Sequence, residues 1–179
     1  MRIDKENALL LVVDMQEKLV PHINHNKELI QKTLTLLAGF QALAIPMMAA
    51  RQYPRGLGDT IEELRPYFTI GYWDKLTFSC CGSEPLLAQL QGSGRKAVII
   101  VGIEAHICVL QTVIDLKDNG FLPVVVTDAV GSRTHRDYEI ALRRLEQEGA
   151  VLTTVESILF ELCRQAGADA FKIISKLVK

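Results

Sequence analysis

The stretch Ala8–Val13 (ALLLVV) is unbroken apolar sequence that stops at Asp14. A half-buried strand alternates, and an amphipathic helix repeats every third or fourth residue. A short apolar run without either period fits a strand covered on both faces, the usual state of a strand in a parallel sheet between helices. The rest of the chain repeats the pattern. Residues 45–50 (IPMMAA), 97–101 (AVIIV), 122–126 (LPVVV) and 150–153 read as further strands.

Between these runs lie helical stretches. Leu29, Ile30, Thr33, Leu34, Leu37, Phe40 and Ala44 recur at helical spacing. Ser83 caps an expected helix over 84–91, with Pro85 in its first turn. A helix from about Ala105 carries Leu110, Val113, Ile114 and Lys117 on one side and stops at Gly120. Thr134 and Asp137 form a capping pair for a helix ending at Gly149. Helices near 155–165 and 169–177 close the chain. The segment 52–60 (QYPRGLGDT) reads as a loop, and 61–71 shows no clear period. Strands separated by helices predict an α/β fold: three layers, α/β/α, around a mostly parallel, doubly wound, Rossmann-like sheet. The 179 residues are expected to form one domain, 1–179.

A formal net charge of −1 argues against a nucleic-acid-binding face, which would need a basic surface. No apolar stretch approaches the ~20 residues of a membrane span. The opening MRIDKENALLLVVD meets an acidic residue at once and lacks the small-residue cleavage site of a signal peptide, so the expected location is the cytoplasm. There a disulfide framework among Cys80, Cys81, Cys108 and Cys163 is not expected. No pair has zinc-ribbon spacing.

In a parallel sheet, ligands bind beyond the carboxyl ends of the strands, so the residues just after each strand carry the functional reading. Asp14 closes the first strand, where partial desolvation would make it a proton acceptor; taken alone, it reads more readily as a turn or capping aspartate. In GIEAHIC, Gly102 ends a strand and Cys108 falls in the first turn of the next helix. That position is expected to lower the thiol pKa and to offer free N–H groups to an oxyanion; a buried core cysteine is the alternative. Lys75, in WDKLTFS, would favour a thiolate if it lay beside the cysteine, and is otherwise a solvated charge. His22 and His25 read as a solvated loop, Cys80 and Cys81 as packing or pocket wall, and Cys163 as core.

Together VVDMQ, the K-x-x-F-S segment from Lys75 to Ser79, and GIEAHICV resemble the isochorismatase-like cysteine hydrolases along nearly the whole chain. QYPRGLG and DMQEKLVP are similar to its branch of isochorismatase domain-containing proteins of uncharacterised substrate. The resemblance implies a catalytic triad of Asp14, Lys75 and Cys108. It also implies a cis peptide between Ile103 and Glu104, which would turn the Glu104 N–H toward the Cys108 N–H as an oxyanion hole. The implied reaction is hydrolysis of a small amide-like C–N bond through a thioester. A non-catalytic binding module is the alternative, as is a ribonuclease, a label some relatives carry.

Nicotinamidases of the family hold zinc with Asp-x-His after the second strand. Gln52 and Pro54 stand there instead, so no metal and no cofactor are expected. Gln52, Tyr53, Trp73 and His106 are the expected substrate-binding residues. The expected partner is a small-molecule substrate, with neither nucleic acid nor membrane, and the family resemblance implies a homo-oligomer.

Overall fold

In the computed structural model, which describes residues 2–179, six strands form one sheet of order β3-β2-β1-β4-β5-β6. They are β1 (Ala8–Val13), β2 (Met47–Gln52), β3 (Trp73–Lys75), β4 (Ala97–Ile103), β5 (Leu122–Gly131) and β6 (Val151–Thr153), and every pairing is parallel. The helices are α1 (Asn26–Ala42), the short α2 (Pro54–Leu57), α3 (Glu84–Gly92), α4 (Leu110–Asp118), α5 (His135–Gln147), α6 (Val155–Cys163) and α7 (Phe171–Leu177).

β1 lies between β2 and β4, and all six of its residues are buried. Leu10 and Val12 face a core built with Leu36, Leu37 and Phe40 of α1 and Leu159 of α6. Leu9, Leu11 and Val13 face a second core with Leu86 and Leu90 of α3, Val113 and Leu116 of α4 and Leu145 of α5. Each such leucine contributes about 1.5–3 kcal/mol by leaving water, so the continuous apolar run is what cover on both faces demands.

The doubly wound, three-layer expectation holds, with differences at element ends. β2 starts two residues later than expected and runs through Arg51 and Gln52, so the segment 52–60 contains a strand end and the turn of α2 rather than a plain loop. β3 went unread: it is three residues at the sheet edge, with Asp74 exposed in its middle. β4 extends to Ile103. β5 is ten residues long because its register slips: two steps of β4, from Ile100 to Gly102, match five of β5, from Val125 to Val130. Ser83 precedes α3 without a side-chain cap, whereas Thr134 Oγ accepts the Asp137 N–H at 3.1 Å as expected. The unassigned 61–71 segment contains a 3-10 helix, Glu62–Tyr67.

The strand order turns back between β1 and β4, and such a reversal opens a crevice at the carboxyl ends of the two strands. Asp14 follows β1 directly, and the segment Glu104–Cys108 follows β4.

Candidate active site

Gly102 permits the two strand ends to meet. Its φ is +110°, and a Cβ there would stand 2.1 Å from the carbonyl oxygen of Val13. The Ile103–Glu104 peptide is cis. Residues Ala105–Val109 then form a π-helical turn rather than the first turn of a regular helix. The Glu104 carbonyl accepts N–H groups from both Ile107 (3.0 Å) and Val109 (3.2 Å). Wide turns of this kind are frequent at functional sites, and this one carries Cys108 between its two closing bonds.

Asp14 and Lys75 meet in the interior. Lys75 Nζ donates to Asp14 Oδ2 at 2.8 Å, and neither side chain reaches solvent. Lys75 also donates to Gln52 Oε1 at 2.6 Å and to the Phe78 carbonyl at 3.0 Å. Among the described residues no donor satisfies Asp14 Oδ1 by hydrogen-bond geometry. The Cys108 thiol nevertheless lies near enough to act on the charges of both Asp14 and Lys75. The structure thus brings the three residues singled out in the sequence into one cluster.

Burial raises the Asp14 carboxyl above its ordinary range, against the opposing pull of Lys75. Burial also draws the Lys75 ammonium down, but Asp14, with Cys80 and Cys108, outweighs it, and the lysine ends above its usual value. The thiol overturns the expected direction. Burial first, then the Asp14 charge, push Cys108 up to about 12, and Lys75 only partly offsets them. A thiol held back in this way is not a preformed thiolate, and the carboxylate whose charge acts on it is that of Asp14.

The other expected positions divide. Gln52 has its whole amide engaged: Oε1 accepts from Lys75, and Nε2 donates to the Leu76 carbonyl at 2.8 Å. This places it behind the lysine, not on a substrate. Tyr53 is half exposed, with its N–H on the Lys75 carbonyl at 2.9 Å, at the rim of the site. Trp73 sits two residues before Lys75 and lines a cavity of about 250 Å³ with Ile45, Pro46 and Met47, toward the amino end of β2. His106 Nδ1 lies 2.9 Å from Ser132 Oγ, and Glu104 pairs with Arg133 at 2.8 Å, so the β5–α5 connection braces the turn that holds Cys108.

Cys80 is fully buried beside Lys75, Cys81 is buried, and Cys163 belongs to the core, as expected. His22 lies in a 3-10 turn and His25 just precedes α1. Among the described residues no three His, Cys, Asp or Glu side chains are grouped to hold a metal ion. Gln16, in the VVDMQ signature, has no role that the sequence alone assigns. It is wholly buried and bonded to the backbone of Gln52, a placement its spacing of two from Asp14 could have signalled.

An α/β crevice with a buried Asp–Lys pair beside a cysteine defines a class of cysteine-containing α/β proteins, and the comparisons narrow it. The isochorismatase domain matches residues 8–157, and the chain belongs to the isochorismatase family, which makes it a hydrolase by class. Isochorismatase family protein 1B of Dictyostelium discoideum is 34% identical over 99% of this chain and 89% of its own. The structure of MAR1 ribonuclease from Caenorhabditis elegans is 39% identical, with a TM-score of 0.93 over 99% of this chain and 92% of that one. The ycaC gene product of Escherichia coli, described as an octameric hydrolase of unknown specificity, shares the fold. Its TM-score is 0.94 at 24% identity, over 99% of this chain and 90% of that one. No helix among the described residues is long and apolar enough to cross a membrane.

Proposed function

We propose that the protein hydrolyses a small amide-like C–N bond through a thioester, with Asp14, Lys75 and Cys108 as its catalytic triad. One observation carries this reading. A buried Asp–Lys pair uses only one carboxylate oxygen, and among the described residues no donor meets the other, Oδ1, in hydrogen-bond geometry, in a site that also contains a cysteine. A buried acceptor without a partner costs ~1–3 kcal/mol, a cost that a proton-transfer role accounts for.

Asp14 Oδ1 takes the Cys108 proton as Sγ attacks the carbonyl carbon. The oxygen that becomes negative is received by the amides of Glu104 and Cys108. Asp14, now a carboxylic acid, gives its proton to the nitrogen as the C–N bond breaks, and the amine departs. Water then attacks the thioester and loses a proton to Asp14; Sγ leaves as the thiol with that proton, and the carboxylic acid is released. Lys75 holds Asp14 and offsets the negative charge throughout. Tyr53, at the rim of the site, and His106, on the turn that carries Cys108, are the proposed neighbours of the substrate.

A screen of small primary amides, carbamates and ureas, read by ammonia release, tests the reading. Turnover by the native chain and none by Cys108→Ala, with a melting temperature within a few degrees, is the expected result. Full activity of Cys108→Ala would end it. The likeness to MAR1 ribonuclease supports a second reading, RNA cleavage, for which the same Cys108→Ala pair assayed on RNA is the test. Cytoplasmic location and a homo-oligomer complete the proposal, the latter supported by the octameric E. coli protein. Sedimentation at the monomer mass would remove it.

A further inference from the structure

Lys75 stands on a tripod. An ammonium has three hydrogens, and three oxygens meet them: Asp14 Oδ2, Gln52 Oε1 and the Phe78 carbonyl, at 2.8, 2.6 and 3.0 Å. The Thr77 carbonyl, at 3.4 Å, is marginal. All of these atoms accept. A neutral amine would bring two hydrogens and turn its lone pair on an oxygen, so the arrangement admits only the charged form and leaves no hydrogen for a substrate.

Gln52 cannot exchange its amide ends to relax this. Flipped, it would present NH₂ to an ammonium and an oxygen to the Leu76 carbonyl. Its backbone is held as firmly. The β1–β2 register ends at Val13↔Ala50, because the chain turns away at Asp14. Two residues further along β2, the side chain of Gln16 stands in for the missing strand. Gln16 Oε1 accepts the Gln52 N–H at 2.7 Å, and its Nε2 donates to the Gln52 carbonyl at 3.0 Å and to the Gly58 carbonyl at 2.8 Å. Gln52 and Lys75 face each other in the β2–β3 register, which brings this grip to the lysine.

We propose that Gln52, clamped by Gln16, is a positioning residue that fixes the direction and charge of Lys75 in the catalytic site. The inference rests on the triad reading given above. The titratable groups around the lysine are Asp14, Cys80 and Cys108, and those around Cys108 are Asp14 and Lys75. Arg51 of β2 is paired with Asp74 and Asp59.

The test uses Gln52→Glu and Gln52→Met, with the rate of Cys108 alkylation by iodoacetamide followed against pH by mass spectrometry. Gln52→Glu keeps an acceptor for Lys75 and adds a buried negative charge. Gln52→Met removes the acceptor, and the less stable ammonium loses its proton earlier. The first offsets the ammonium's charge at the sulfur and the second makes that charge easier to lose, so both disfavour the thiolate. The alkylation profile should move up by about one pH unit, or about tenfold in rate on its rising limb. On any amide that is turned over, kcat should fall about tenfold or more while KM stays within about twofold. Should either variant misfold, Gln16→Glu, which keeps the acceptor and loses both donors, should show the same shift in smaller measure. Profiles that overlay the native one, or a raised KM with unchanged kcat, would overturn the proposal. The alkylation arm needs no substrate, so absence of amide turnover would end the hydrolase reading and leave the role of Gln52 to be decided separately.

Discussion

Asp14 Oδ2 and Lys75 Nζ are 2.8 Å apart with both side chains closed to solvent. Each charge is tolerable only because of the other. Removing one partner of a buried pair leaves an uncompensated charge and costs ~3–5 kcal/mol. Lys75→Met should therefore lower the unfolding free energy by about that amount in a urea titration, several times the loss in Cys108→Ala. A loss below about 1 kcal/mol would show that the pair is not closed off as described.

The thiols predict the behaviour at high pH. Burial raises Cys81 and Cys108 from 9.0 to about 12, and Cys80 further still. From pH 9 to 12 the unfolded chain releases these protons while the folded chain retains them. The folded state then binds more protons, so stability falls as pH rises, by up to about 1.4 kcal/mol per pH unit for each thiol. Thermal melts should be flat across pH 7–8 and drop steeply above pH 9. Cys81→Ala should make the drop shallower, and an unchanged slope in that variant would contradict the assignment.

Gly102→Ala combines two penalties, a φ of +110° and a Cβ placed against the Val13 carbonyl, where backbone and not a flexible side chain must yield. The expected loss is about 3 kcal/mol or more, with catalysis lost in whatever protein folds. A melting temperature within about 2 °C of the native value would refute the close approach of β1 and β4.

Chelation should leave turnover unchanged. The donors at the positions that bind zinc in nicotinamidases are absent, and the Gln52 amide is already committed to Lys75 and Leu76. Activity lost in excess EDTA and restored by one metal would count against this.

The sheet was legible where burial is two-sided. Ala8–Val13 showed itself because no polar residue can enter a strand covered on both faces. β3 was not legible: an edge strand of three residues can carry an exposed Asp74 and has no length in which a period could appear. Asp14 and Cys108 stood out through their place after strands, and Lys75 only through the motif order that the three share. The sign of the Cys108 shift did not, because it depends on how much protein surrounds the sulfur, and that outweighs both Lys75 and a helix end. Gln52 was misread for a related reason. Its place after the second strand suggested substrate contact, whereas its partners, Gln16 and Lys75, lie 36 and 23 residues away in sequence.

The strand order has a bearing on when the protein becomes chemically competent. Asp14 directly follows β1, and Gln52 and Lys75 end β2 and β3, three consecutive strands that occupy one side of the sheet. The acid and its cation therefore come from the first half of the chain, and Cys108 comes from the turn after β4, the strand on the far side of β1. Until β4 docks there, the sulfur has neither base nor counter-charge. Base and sulfur meet only across the β1–β4 seam, so the reactivity proposed for Cys108 would report that the two sides of the sheet are joined rather than the presence of a cysteine.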